Sequence, residues 1–133
     1  MSTDKLALEW IPGAFAVCRL PATAEVPGWA WAREGGLLSV TRTDRELSIV
    51  APQDAVPEGV QAERGWVAAR LCGTFEFTMV GVLSRLTGAL ADAEVPALAI
   101  STYDTDVLLL KSTHAGRAVE ALGTVADVSQ LKR

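Results

Sequence analysis

The architecture of this chain is written most plainly in residues 66–111, WVAARLCGTFEFTMVGVLSRLTGALADAEVPALAISTYDTDVLLLK. Trp66–Leu71 is an apolar run of strand length closed by Gly73. Between Thr78 and Glu94, the residues Met79, Val82, Leu83, Leu86, Leu90 and Ala93 recur at helical spacing and form one apolar stripe, and Pro96 blocks further helix. Ala97–Ser101 and Val107–Lys111 then read as two strands separated by a polar knot of hydroxyls and carboxylates. Beyond them, Ala115–Leu122 has the pattern of a short amphipathic helix, with Gly123 placed to end it.

Upstream, the same order recurs at lower amplitude. Phe15–Leu20 predicts a buried strand ended by Pro21, and the small, polar stretch from Ala22 to Gly36 leaves room for one helical turn around Trp29-Ala30-Trp31. Leu37–Thr41 and Leu47–Ala51 predict two strands about a Thr-Asp-Arg-Glu turn, and Pro52 to Arg64 is a connector. Without internal gaps, Phe15–Leu20 aligns with Trp66–Leu71, matching Arg19 to Arg70 and Leu20 to Leu71. A second alignment places Val40 on Ile100, Thr41 on Ser101, Asp44 on Asp104, Glu46 on Asp106 and Leu47 on Val107. The sequence therefore predicts two strand-helix-strand-strand units, the first with a stunted helix, divided as 1–64 and 65–133.

With 133 residues, 50% of them hydrophobic, the chain can close a real core. A net charge of −4 and the absence of any Lys/Arg cluster exclude nucleic acid or an anionic membrane as the main partner, since either calls for a basic face. The N-terminus has no basic lead-in to an apolar run, and no apolar stretch reaches the length of a membrane span, so a cytoplasmic location is expected. In that compartment Cys18 and Cys72, both in apolar runs, stay reduced and serve packing.

The segment Trp66–Lys111 resembles the ACT domain, in the form found in small bacterial proteins related to aspartate kinase ACT domains and to the CASTOR-type arginine sensors. The resemblance is carried by the strand ending Cys72-Gly73, the helix opening Val80-Gly81-Val82-Leu83, and Ile100-Ser-Thr-Tyr-Asp-Thr-Asp-Val-Leu108. It extends to the first half only as a degenerate unit. It implies an α/β (α+β) fold of tandem ferredoxin-like units, antiparallel sheets with helices on one face. It further implies no catalysis, no cofactor, and an amino-acid effector held where ACT units pair, in a homodimer that passes occupancy to a regulated protein. The ligand contacts it implies are Gly73, Val80, Gly81, Thr102, Tyr103 and Asp106. Arginine-sensing relatives carry an acidic residue two positions before the motif glycine, where this chain has Met79; burying a guanidinium without that carboxylate is costly, which favours a smaller or apolar amino acid. Glu76 stands close enough in sequence to substitute.

The chemistry of an amino acid agrees with this set. A free carboxylate wants the unpaired N–H groups of a helix N-terminus, here near Thr78 to Val80, and an ammonium wants a carboxylate such as Asp106. Glycines at 73 and 81 permit close approach to the backbone. The alternative for Ser101–Asp106 is purely structural, because Ser, Thr and Asp bond nearby backbone groups and cap hairpins; Asp104 in particular reads as a turn residue. A structural or interaction module of ACT fold that has lost its ligand is the corresponding alternative for the whole chain.

Nothing marks an enzyme. His114 is the sole histidine and has no spaced base or third group, so it reads as a surface or capping residue. Asp104, Asp106 and His114 lack the spacing of a calcium loop or a zinc site, and Gly35-Gly36 lacks the residues of a phosphate loop. Of the four tryptophans, Trp66 is expected in the core, Trp10 is undecided, and Trp29 and Trp31, two apart on a helical turn, point different ways so that one can remain at a surface, the pair standing open between a dimer contact and ordinary core.

Overall fold

The computed structural model describes residues 6–31, 36–72 and 79–131, the side chains of Met79 and Val80 excepted. The chain divides into two compact units, Ile11–Trp66 and a second composed of Met1–Trp10 with Val67–Arg133. These differ from the consecutive blocks 1–64 and 65–133, and the reason is burial. Leu6 and Leu8, at 7% and 0% exposure, pack in the same cluster as Leu86, Leu110 and Leu131, so the start of the chain joins the core of its end.

Two long strands, β1 (Ala7–Leu20) and β4 (Ala62–Cys72), give residues to both units. In the unit Ile11–Trp66, α1 (Gly28–Trp31), β2 (Ser39–Arg42) and β3 (Leu47–Pro52) complete the set, and the strands lie in the order β2-β3-β1-β4. Pairing is antiparallel, Phe15 opposite Pro52 through Leu20 opposite Leu47, and Ser39 opposite Val50 through Arg42 opposite Leu47. Leu47, Ile49 and Ala51, at every second position of β3, share one core with Ala16, Cys18 and Ala30. A 3-10 turn at Gln53–Ala55 stands where a second helix would follow β3, and with the four-residue α1 this makes the unit a reduced one.

The other unit carries full helices. After β4 come α2 (Met79–Asp92), β5 (Leu98–Ser101), β6 (Asp106–Lys111), α3 (Ala115–Leu122) and β7 (Asp127–Gln130). The strand order is β1-β4-β6-β5, with β7 pairing parallel to β1, Ala7 opposite Asp127. In a minimal ferredoxin-like unit the last strand lies beside the first. Here the opening residues of β1 intervene between β7 and β4.

The helices form where the apolar stripe predicts them. Val82, Leu86 and Leu90 are buried at four-residue intervals on α2, while Gly81, Ser84, Arg85 and Gly88 face solvent. Burying three such side chains removes enough apolar surface to contribute about 1.5–3 kcal/mol each. The helix closes in a Schellman motif: Val95 N–H donates to the Leu90 carbonyl at 2.9 Å and Glu94 N–H to that of Ala91 at 2.9 Å, with Glu94 left-handed at φ 59°. On α3, Ala115, Ala118 and Leu122 face the same core. Gly123 follows the helix with φ −61°, right-handed rather than left-handed; its smallness serves space, since a Cβ there would meet two carbonyls and Val128 Cγ2 at 3.4 Å.

Strand β1 starts at Ala7, eight residues ahead of the predicted Phe15, because Leu8 and Ile11 are core residues. Trp66 is buried at 6%, Trp29 packs against the core of its unit, and Trp31 is 62% exposed. Trp10 packs against the larger core and donates its indole N–H to the Leu131 carbonyl at 2.9 Å.

Candidate functional site

The two hairpins, β2-β3 and β5-β6, are built alike. Each has a four-residue turn, 43–46 and 102–105, opened by a threonine. Thr43 N–H donates to the Glu46 carbonyl at 2.9 Å, and Thr102 N–H to that of Thr105 at 2.8 Å. In both, the threonine hydroxyl also accepts from the backbone N–H three residues on, at 3.1 Å. These bonds equate Thr43 with Thr102 and hence Leu47 with Asp106, one residue away from the alignment that put Glu46 on Asp106. Side chains alternate across a strand, so this one-residue correction changes the face. Asp106 is not the last residue of an acidic turn. It stands at the position where the sister hairpin buries a fully enclosed leucine.

Asp106 is 3% exposed and is the buried charged residue among the described positions. It shares a strand face with Leu108 and Leu110, both in the core under α2 and α3. Ser101 lies directly opposite on β5 and donates its hydroxyl to Asp106 Oδ1 at 2.6 Å. Oδ2 is buried with no hydrogen-bond partner among the described residues. Thr105 fixes the turn from the other side, its hydroxyl donating to the Leu71 carbonyl at the end of β4 at 2.7 Å. A carboxylate oxygen left unpaired in an apolar setting costs about 1–3 kcal/mol, so the arrangement is poised to accept a hydrogen-bond donor.

The predicted site residues are only partly gathered around this carboxylate. Thr102 spends its hydroxyl within the turn, and Tyr103 stands fully in solvent at the tip. Gly81 is exposed on the first turn of α2. Gly73 and Glu76 lie outside the described residues, as do the side chains of Met79 and Val80. Ser101 and Thr105 were not singled out, although the repeated Thr at the head of each turn was the signal that could have found them. Asp104 is exposed in the turn as expected.

Other candidates carry less. His114 is half-buried with Nδ1 lacking a partner among the described residues, and it holds the N-cap position of α3 without a side-chain cap bond. Burial pushes the Cys18 thiol up, Arg64 opposing; burial and then Glu9 push that of Cys72 up. Among the described residues no group of His, Cys, Asp or Glu could hold a metal ion, and no helix is long and apolar enough to cross a membrane. A groove of about 440 Å³ lies at the C-terminal end of α2, between Thr87, Leu90, Ala91 and the segment from Glu94 to Ala97.

Comparison with known proteins agrees with this geometry. The family model of the ACT domain matches residues 61–124. That segment of the chain is an ACT domain. A second model, of an N-terminal domain, matches residues 13–59, within the reduced ACT-like unit. A structural-genomics protein from Agrobacterium tumefaciens is 30% identical, with TM-score 0.86, the match covering 93% of this chain and 92% of that one. The ligand-free regulatory subunit of aspartate kinase from Thermus thermophilus shares the fold at 15% identity and TM-score 0.60, covering 92% of this ACT chain and 96% of that one. Aspartate kinase from Clostridium acetobutylicum does so at 11% identity and TM-score 0.64, covering 90% of this chain and 33% of that enzyme. No curated protein matches the sequence.

Proposed function

We propose that this ACT protein is a non-catalytic regulator that binds a small amino acid, and that Asp106 receives the ligand's ammonium. The observation that carries the reading is the buried carboxylate with a free Oδ2 at a place where the sister hairpin has Leu47. A fold needing only a core residue there would keep the leucine, since burying a charge without a partner is unfavourable. The start of α2, a 14-residue helix on whose first turn Gly81 is exposed, is where this reading puts the ligand carboxylate, since a helix N-terminus favours an anion. Gly73, Val80, Thr102 and Tyr103 complete the proposed contacts. In this reading β5, the outermost strand of its unit, brings the site to the seam of a homodimer, and the protein acts in the cytoplasm on a regulated protein partner.

The matching place in the other unit is not free for a ligand. Arg42, at the position of Ser101, turns its guanidinium onto the Ala22 and Ala24 carbonyls of the loop before α1, the latter at 2.7 Å. One ligand per chain follows. The test is a thermal-shift screen of the full chain against the twenty amino acids, with Asp106→Asn as control. Ligand at about 100 times its Kd adds roughly 2.7 kcal/mol of stability. A selective rise in Tm that vanishes in Asp106→Asn supports the reading; no rise with any amino acid at millimolar concentration refutes it.

A further inference from the structure

We infer that Ser101 sets the class of cation the site accepts: by donating to Oδ1 of Asp106 it leaves Oδ2 as the oxygen of that carboxylate without a donor among the described residues, which suits an ammonium and disfavours a guanidinium. This rests on the reading of Asp106 as the ammonium contact. A guanidinium binds a carboxylate best as a fork, two parallel N–H donors on two oxygens, and a donor already held on one of those oxygens competes with one arm of the fork. Here Oδ1 is taken at 2.6 Å by a hydroxyl that the strand register places directly across from it. Asp106 itself is almost wholly enclosed, so the second arm of a fork would be buried without an acceptor. An ammonium is a compact charge with three donors that rotate freely, so one N–H can be donated to Oδ2 while the others turn to other acceptors.

Nothing in the hairpin demands a hydroxyl at this position. The turn bonds come from Thr102 and Thr105, and the sister hairpin, with the same turn, pairs Arg42 with Leu47 at the matching place. Ser101 is itself exposed, on a strand that ends the sheet of its unit, so its removal leaves the core intact. The serine is a specificity-determining residue acting through the carboxylate.

The experiment is calorimetric titration of the full chain as wild type, Ser101→Ala, Ser101→Thr and Asp106→Asn. The probes are three matched pairs: glycine with guanidinoacetate, L-leucine with Nα-amidino-L-leucine, and L-lysine with L-arginine. Within each pair an ammonium is exchanged for a guanidinium, at the α-carbon in the first two and at the side-chain end in the third. In the pair that binds, the ammonium member is expected to bind wild type about tenfold tighter or more, Ser101→Ala to narrow the ratio to within about threefold, and Ser101→Thr, which keeps the hydroxyl, to retain it. An unchanged ratio in Ser101→Ala, or a wild type that prefers the guanidinium, overturns the inference while leaving Asp106 as the contact if Asp106→Asn abolishes binding. Undiminished binding by Asp106→Asn overturns the ligand reading and this inference together, and no binding of any probe overturns this inference.

Discussion

Replacing Asp106 by leucine should make this protein more stable and, on the function proposed above, unable to bind an amino acid. The sister hairpin supplies the precedent, because Leu47 occupies the matching position with no exposed surface. The substitution removes a buried Oδ2 that has no partner among the described residues, a penalty of about 1–3 kcal/mol, and buries a leucine side chain worth about 1.5–3 kcal/mol. Against this stands the loss of the Ser101 hydrogen bond to a charged group, about 1.5–3 kcal/mol. Ser101 is exposed, so its hydroxyl returns to water rather than being orphaned. The balance is a gain of about 2 kcal/mol, or roughly 6–8 °C in Tm for a domain of this size. Urea denaturation read by tryptophan fluorescence, with the thermal midpoint alongside, measures it, and Asp106→Asn separates charge from shape. A loss of more than about 1 kcal/mol in Asp106→Leu, with an equal loss in Asp106→Asn, would refute the reasoning, for the carboxylate would then be a structural requirement.

Three further outcomes are expected. Glu94→Gly should stabilise by about 0.5–1 kcal/mol in the same denaturation assay, since the left-handed φ of 59° at the end of α2 costs nothing for glycine. Leu86→Ala, on the fully buried face of α2, should destabilise by about 2–5 kcal/mol and lower the urea midpoint accordingly. Cys18 has its thiol pushed up by burial from an ordinary value of 9.0, so the folded state keeps its proton longer than the unfolded state does. Its contribution to stability is whole at neutral pH and is lost as pH rises through and beyond that value, and titration with a thiol reagent at pH 8 should label Cys18 only as fast as the protein opens.

Much of the fold was legible because it is local. The stripe from Val82 to Leu90, the Pro96 stop and the paired apolar runs around residues 102–105 are short-range patterns, and each became the element they predicted. Two features were not local. The opening of β1 was missed because Pro12 and Gly13 interrupt the apolar run, with Gly13 at φ 99°, and because what makes Leu6 and Leu8 core residues is the far end of the chain. The hairpin register was misread by one residue because like charges, Asp44 with Asp104 and Glu46 with Asp106, were matched in place of the threonines that make the turn. That slip hid the most informative feature of the candidate site. Asp106 was marked as a ligand contact on resemblance, whereas its burial and its single engaged oxygen became visible only with the strands paired.

The joining of Leu6 and Leu8 to the core that holds Leu131 has a consequence for how the protein is made. Ile11–Trp66 is a continuous stretch and can collapse as soon as it leaves the ribosome, but the unit around α2 cannot be completed until the last strand has been synthesised. The hydrogen bond from Trp10 to the Leu131 carbonyl closes a loop of nearly the whole chain. Contacts of such separation slow folding, and they order it: the inserted unit first, the enclosing one last. The hairpin that carries Asp106 therefore belongs to the unit completed last, and a chain cut short before β7 would keep the first unit without completing the second.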